Sequence, residues 1–355
     1  MAPFNVDGHI EQRYKIISHI GSGAYGVVWC ALDRQTSKLV ALKKVFDAFG
    51  NQQDAQRTYR EVMLLSALHH GSIIRLTNII RSVNDADLYL AFELAETDLS
   101  TILHHNVLLP VHRQYLAYQV VKIVAYLHSR GVLHRDLKPA NIFVNSDCSI
   151  KLGDFGLARC AQGQGEDVFR DLTGYVATRW YRAPELLVNS ANYTTAVDIW
   201  AVGCIIYELL TSSPLFMGRS TLHQLSLIIG ALGEPTTADL ESLGSNEILS
   251  LMDASPAIES HPLQENLREH DPNAVDLICK LVVFSPNKRL TARGALRHPY
   301  FAPFFTEKDI EELDKAEVIS LPLPDEKNFA VAEYREALYE VILRSFSSAC
   351  VLPEK

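Results

Sequence analysis

His134-Arg135-Asp136-Leu137-Lys138-Pro139-Ala140-Asn141 is the stretch that decides the fold. It stands between two apolar runs. Upstream, Val120-Val121-Lys122-Ile123-Val124-Ala125-Tyr126-Leu127 has the spacing of a buried helix, and Gly131 ends it. Downstream, Ile142-Phe143-Val144 reads as a short strand. The spacing predicts a loop that presents an acid, two bases and an amide from a rigid frame. That set suits phosphoryl transfer. Asp136 can accept the proton of an attacking hydroxyl, Lys138 can neutralise charge growing on the group in transit, and Asn141 offers a hard oxygen to magnesium. The string H-R-D-L-x-x-x-N is complete, which chance rarely supplies. The bland alternative is a polar surface turn.

Beyond the loop, Ile150-Lys151-Leu152-Gly153-Asp154-Phe155-Gly156 reads as a strand ending in an Asp-Phe-Gly turn. Such turns are common by themselves. Close after Asp136, Asp154 becomes a candidate magnesium ligand with Phe155 packed behind it. Residues 160 to 176 are glycine-rich and polar, a long loop that Ala183-Pro184-Glu185 closes.

Toward the N-terminus the pattern is of strands. Arg13 to Ile17 and Val27 to Leu32 flank Ile20-Gly21-Ser22-Gly23-Ala24-Tyr25-Gly26, a G-x-G-x-x-G string with Val28 two residues on. Its glycines let the backbone approach a triphosphate. A glycine-rich hairpin turn fits the string equally well. A dinucleotide site would need a helix after the last glycine, and a β-branched strand follows instead. Leu39-Val40-Ala41-Leu42-Lys43 puts a charge inside an apolar run, which demands a partner unless the lysine sits at a wet edge. Glu61 supplies one from a helix patterned by Tyr59, Val62, Met63 and Leu65, and Arg57 and Arg60 on that helix remain for another anion. Leu76 to Val83 and Leu88 to Leu94 read as a further hairpin. The pattern turns helical after Ala95-Glu96-Thr97-Asp98.

Composition bounds the rest. A chain of 355 residues with 48% hydrophobic residues is expected to form two lobes. Lys+Arg 33 against Asp+Glu 42 gives −9, which argues against nucleic acid as the main partner. Six scattered cysteines lack metal-ligand spacing and fit reduced thiols in a cytoplasmic or nuclear protein. Neither a signal peptide nor a membrane span is expected.

The glycine string, Val40-Ala41-Leu42-Lys43, Glu61, His134-Arg135-Asp136, Asp154-Phe155-Gly156 and Ala183-Pro184-Glu185 stand in the order of a eukaryotic protein kinase. Thr173-Gly174-Tyr175-Val176-Ala177-Thr178-Arg179-Trp180-Tyr181-Arg182 resembles the activation segment of a mitogen-activated protein kinase. The resemblance runs from about Tyr14 to Phe346. It implies an α+β, bilobal fold: a small antiparallel β-sheet lobe at 1–95, a mainly helical catalytic lobe at 96–305, and a C-terminal extension at 306–355. The stripe Val331, Tyr334, Leu338, Val341, Ile342 and Phe346 resembles the family's terminal helix, which packs back on the small lobe; a helix serving only the large lobe is the alternative.

The resemblance also implies residue roles. ATP would meet the glycine string, Val28, Ala41, Lys43, Glu61, Phe92, Glu93, Ala95, Asp98 and Phe143, with magnesium on Asn141 and Asp154. Asp136, Lys138 and Thr178 would carry catalysis. Asp198 would anchor the catalytic loop, and Glu185 would pair with Arg289. Thr173 and Tyr175 would be phosphorylated, by an upstream dual-specificity kinase or by the chain itself, and cleared by phosphatases. Arg57, Arg60, Arg135 and Arg159 would gather on the phosphate at Thr173, Arg179 and Arg182 on that at Tyr175. Substrates would be proteins carrying Ser-Pro or Thr-Pro, met by a monomer. Asp325 and Glu326 are the best candidates for an acidic docking patch, and a solvated turn is their alternative. Phe92, Gly153 and Ala95 depart from residues common in the family. Two rivals are a cyclin-dependent-type kinase, whose usual helix motif is missing before Glu61, and an inactive kinase-fold scaffold.

Overall fold

The computed structural model describes residues 6–23, 26–160, 169–170, 179–188, 190, 192–243, 260–325 and 327–346. By internal contacts the chain divides into two units. The first comprises Met1–Glu96, Gly153–Leu157 and Leu321–Lys355, the second Thr97–Leu152 and Ala158–Ser320. The C-terminal stretch is thus shared, its residues up to Ser320 with the second unit and those from Leu321 with the first.

The first unit is built on five antiparallel strands: β1 (Tyr14–Gly23), β2 (Gly26–Asp33), β3 (Lys38–Val45), β4 (Leu76–Arg81) and β5 (Leu88–Glu93), in the order β1-β2-β3-β5-β4. A short helix, α1 (Gly8–Arg13), precedes them. Along β2 every second residue is buried, the period of a strand with one face on a core. Tyr14, Val27, Trp29, Leu42 and Tyr89 belong to that core. As far as Gly23 the glycine string continues β1, because pairing with β2 persists to Gly23 opposite Gly26. Gly26 admits no side chain: a Cβ there would lie 2.1 Å from the Lys44 carbonyl oxygen.

Helix α2 (Gln52–Ala67) completes this unit. Asn51 caps it, accepting the Asp54 N–H at 3.0 Å. The C-terminal helix Val331–Phe346 packs against α2, with Tyr334, Leu338 and Ile342 buried one turn apart. Tyr334 meets Tyr59 at 5.4 Å between ring centroids. Of the apolar stripe read from the sequence, Tyr334, Leu338 and Ile342 form this buried face.

The second unit is mainly helical. Its chain runs through β6 (Thr97–Asp98), α3 (Leu99–His105), α4 (Pro110–Ser129), β7 (Val132–Leu133), β8 (Ile142–Val144), β9 (Ile150–Leu152), β10 (Arg159–Cys160), β11 (Phe169–Arg170), α5 (Pro184–Leu187), β12 (Asn192–Tyr193), α6 (Ala196–Thr211) and α7 (Thr221–Leu232). Helix α6 is buried on every side from Ala196 to Ile206, the mark of a central helix. Its two carboxylates, Asp198 and Glu208, are buried with it. Strands β6, β8 and β9 form one small sheet, while β7 pairs with β10 and β11 with β12. Among the described residues no helix is long and apolar enough to cross a membrane.

Candidate active site

In the second unit the decisive loop lies between β7 and β8, and a buried carboxylate fixes it. Asp198 accepts the backbone N–H of His134 at 2.9 Å and of Arg135 at 2.8 Å. The His128 ring, on α4, bonds its Oδ2 at 3.0 Å. Burial works to raise the Asp198 pKa, but the His128 bond and charge and the His134 ring and N–H together hold it below 3.8. The loop is thus tied through its backbone, which leaves its side chains for chemistry. Arg135 takes φ 65°, in the left-handed region that residues other than glycine rarely enter.

Asp136 is 9% exposed, and Lys138 Nζ donates to its Oδ2 at 2.7 Å. The Asn141 amide nitrogen donates to the Asp136 carbonyl at 2.9 Å and to its Oδ2 at 3.1 Å. Both bonds use the nitrogen, so the amide's oxygen end is turned away from them. A carboxylate held beside an ammonium and an amide is a general base with a charge stabiliser at hand.

Behind the loop the frame is welded by one ion pair. Arg289 donates Nη1 to Glu185 Oε1 at 2.6 Å and Nη2 to Oε2 at 2.8 Å. The Arg289 and Glu185 side chains are 0% and 2% exposed. The remaining Arg289 hydrogens go to the Val283, Ala196 and Phe284 carbonyls, so the buried charge is fully answered. Nearby, the Tyr181 hydroxyl donates to Glu208 at 2.6 Å. Burial pushes the Glu208 carboxyl above its ordinary value, against that bond. Gln224 spans the same region, donating to the Trp180 carbonyl at 3.2 Å and accepting the Gly218 N–H at 2.8 Å.

In the first unit the charges gather on α2. Lys43, on β3, donates to both Glu61 oxygens, at 2.7 and 3.0 Å. Burial works to lower the Lys43 pKa, but Glu61 and then Asp154 outweigh it and hold the ammonium above its ordinary value. Asp154 belongs to this unit, at φ 58°, with Arg57 Nη2 3.7 Å from its Oδ1. Phe155 is fully buried. Gly156 packs against Arg57, whose Nε would be 2.6 Å from an added Cβ, and its carbonyl accepts Arg60 Nη1 at 3.1 Å. Phe92 lies opposite Ala41 and Leu76 in the sheet and is 9% exposed.

Residues 14–301 match the family model described as protein kinase domain. The chain is 43% identical over 347 residues to extracellular signal-regulated kinase 2 of Dictyostelium discoideum, covering 97% of this chain and 94% of that one. It belongs to the mitogen-activated protein kinases. Among its relatives are the proteins named mitogen-activated protein kinase 15 from Xenopus laevis, 47% identical over 95% of this chain and 58% of that one, and from Caenorhabditis elegans, 42% identical over 95% and 73%. It is a Ser/Thr protein kinase of the mitogen-activated type, a class that uses ATP and magnesium.

In this mitogen-activated protein kinase several arginines read from the sequence as phosphate ligands have partners within the chain. Arg60 Nε donates to Asp325 Oδ1 at 2.8 Å, with the two side chains 3% and 7% exposed. Arg57 faces Asp154, and Arg135 lies over the Tyr193 ring at 4.9 Å. Arg159 is buried and donates to its own neighbour, the Ala158 carbonyl, at 3.0 Å. The reason is general, since a guanidinium inside a fold takes acceptors wherever packing supplies them. The same bond corrects the docking expectation. Asp325 faces inward onto Arg60, not outward. On the helix Glu307–Asp314 the side chains of Glu307, Glu311, Glu312 and Asp314 face solvent.

Asp98 caps α3, accepting the Thr101 N–H at 3.0 Å and its hydroxyl at 2.7 Å. Glu93 Oε1 accepts the Arg75 N–H at 2.9 Å. Ala24, Tyr25, Thr173, Tyr175, Val176, Thr178 and Glu326 lie outside the described residues, as do any partners of Arg179 and Arg182 there. Sequence reasoning missed His128 and Gln224. A histidine on α4's last turn and a glutamine on an apolar helix carried some signal, but nothing local named their partners.

Proposed function

We propose that this kinase is proline-directed, dependent on ATP and magnesium, and switched by phosphorylation of Thr173 and Tyr175. The observation that carries the reading is the Asp136–Lys138 contact on a loop fixed by Asp198. Asp136 accepts the proton of a substrate hydroxyl, and Lys138 steadies the charge on the transferred group. Magnesium, when bound, would supply positive charge against the phosphates. The donor chemistry fits it: Asp154 supplies a carboxylate, and Asn141 keeps an amide oxygen while its nitrogen is engaged. Lys43, kept protonated by Glu61 and Asp154, suits the α- and β-phosphates. Arg182, by family resemblance, holds a backbone carbonyl near Val176. An N–H after the target hydroxyl then finds no acceptor, and proline has none to leave unpaired.

Phosphate on Thr173 adds about −1.5 to −2 charge beside the family's arginine set, and that on Tyr175 prepares the substrate platform. Partners are Ser-Pro and Thr-Pro proteins, an activating dual-specificity kinase or the chain itself, and phosphatases. The free thiols of Cys30, Cys148, Cys160, Cys204 and Cys279 support a cytoplasmic or nuclear setting. The test is a peptide library profiled with magnesium-ATP by protein whose four phosphoforms were prepared separately. Ser-Pro peptides should be favoured over Ser-Ala, and the doubly phosphorylated form should be fastest. Equal rates for the two peptides would remove proline direction. Full activity in Thr173→Ala/Tyr175→Phe would remove the switch and leave the kinase assignment intact.

A further inference from the structure

The first unit contains a clasp that the catalytic groups do not explain. One face of α2 is held along its length by Leu323, Asp325 and Phe329. Gln52 Nε2 donates to the Phe329 carbonyl at 2.7 Å, and Gln56 Nε2 to the Asp325 carbonyl at 3.4 Å. The Tyr59 hydroxyl accepts the Leu323 N–H at 2.9 Å. Arg60 Nε closes on Asp325 Oδ1. Positions 52, 56, 59 and 60 recur at helical spacing, so the four contacts form a single stripe. Arg57 and Glu61 lie one residue round from it and carry the catalytic partners, Asp154 and Lys43.

Arg60 joins the two sides. Its Nε is bound to Asp325, and its Nη1 to the carbonyl of Gly156 in the Asp-Phe-Gly turn. The residue is 2% exposed. A guanidinium so deep in a fold needs a counter-charge, and Asp325 is the acid that supplies it. The Arg60 Nη2 atom is buried with no hydrogen-bond partner among the described residues, so the site retains a donor. The arginine that the sequence assigns to a phosphate therefore already holds a carboxylate of this chain.

We propose that Asp325 is a positioning residue for phosphoryl transfer. Its carboxylate takes on α2 the part otherwise left to the Thr173 phosphate, seating Arg60, and through it Glu61 and the Asp-Phe-Gly turn, before any phosphate is added. This rests on the kinase reading above and goes beyond it. The seat of α2 does not wait for the switch, and phosphorylation acts chiefly elsewhere, on the substrate platform.

The experiment compares full-length wild type, Asp325→Asn, Asp325→Glu, Arg60→Met and Arg60→Met/Asp325→Asn. Each is measured after phosphatase treatment and again after phosphorylation at Thr173 and Tyr175. In the dephosphorylated state Asp325→Asn should lower kcat about tenfold with a smaller change in the KM for peptide, and Asp325→Glu should recover most of it. In the phosphorylated state the Asn variant should lose threefold or less, because phosphate then supplies the charge. In the Arg60→Met background the further change to Asn should cost nothing. Equal losses in both phosphorylation states would reduce Asp325 to a structural role and overturn the proposal. So would an unchanged dephosphorylated rate, or an added loss in the Arg60→Met background. Wild type without measurable turnover when dephosphorylated would overturn it too, while leaving the switch standing. If Asp325→Asn does not fold, Gln52→Ala/Gln56→Ala loosens the clasp without stranding a buried charge. That pair should speed amide exchange along α2 and lower the dephosphorylated kcat two- to threefold. Wild-type exchange and rate in it would count against the proposal. None of these outcomes touches the Asp136 mechanism, which Asp136→Ala tests separately.

Discussion

The catalytic loop of the second unit and the α2 face of the first are both built from charged side chains, yet they are held in opposite ways. The loop is fixed through its backbone. Asp198 takes two of its N–H groups, and α4, α6 and the short strands around it are apolar and buried. The α2 face is fixed through its own side chains, by the ion pairs Lys43–Glu61, Arg57–Asp154 and Arg60–Asp325 and by bonds of Gln52, Gln56, Tyr59 and Arg60 with neighbouring backbone. Backbone bonds inside a packed frame break only when the frame unfolds. Ion pairs along one helix can be exchanged for others without unfolding anything. Changes in the first set should appear mainly as stability, and changes in the second mainly as turnover.

The sharpest break of that contrast comes from the first unit. Asp154→Ala and Lys43→Met should each lower turnover on the order of a thousandfold, the loss typical of removing a preorganised charge stabiliser. Their unfolding midpoints should stay close to wild type. Near wild-type turnover in purified Asp154→Ala, with contaminating kinases excluded, would refute the mechanism.

Next comes the second unit's buried pair. Glu185→Gln strands the Arg289 charge and should cost about 3–5 kcal/mol in urea unfolding. A change below about 1 kcal/mol would show that the frame relaxes more easily than its geometry implies.

The third prediction concerns pH. Asp198 is held below its unfolded value of 3.8, so its contribution is present above that pH. It is lost as the pH falls through the folded value. The stability gap between wild type and Asp198→Asn should be flat from pH 7 to pH 5 and close on acidification below pH 4. A gap that widens in acid would reverse the assignment.

The smallest effect is expected at Phe92. That residue stands opposite Ala41 and Leu76 in the sheet, and Phe92→Ala should raise affinity for a bulky adenine analogue by about tenfold. Unchanged analogue affinity, read by competition against ATP, would place the adenine elsewhere.

How much of this was legible in the sequence follows the same contrast. Asp136, Lys138, Asn141 and Asp154 could be read because each group of neighbours is a string, and a string is local. Lys43 could be read because a charge inside a strand needs an answer, and Glu61 stands within the apolar pattern of the next helix. What the sequence could not show is the partner of Arg60. Its acceptors are the Gly156 carbonyl and Asp325, the latter 265 positions away. Spacing along a chain carries no signal for such a meeting. His128 was overlooked for the same reason, its partner Asp198 being 70 residues away.

The kinase assignment, and the order of strands and helices that carries its motifs, can therefore be read from the residues in a line. Side-chain identity and local periodicity are properties of neighbouring residues, and they survive in the unfolded chain. Which charges meet one another is set on folding. That choice depends on burial, where an ion must take the nearest counter-charge that packing delivers, and it turned Asp325 from an outward docking acid into the inward partner of Arg60.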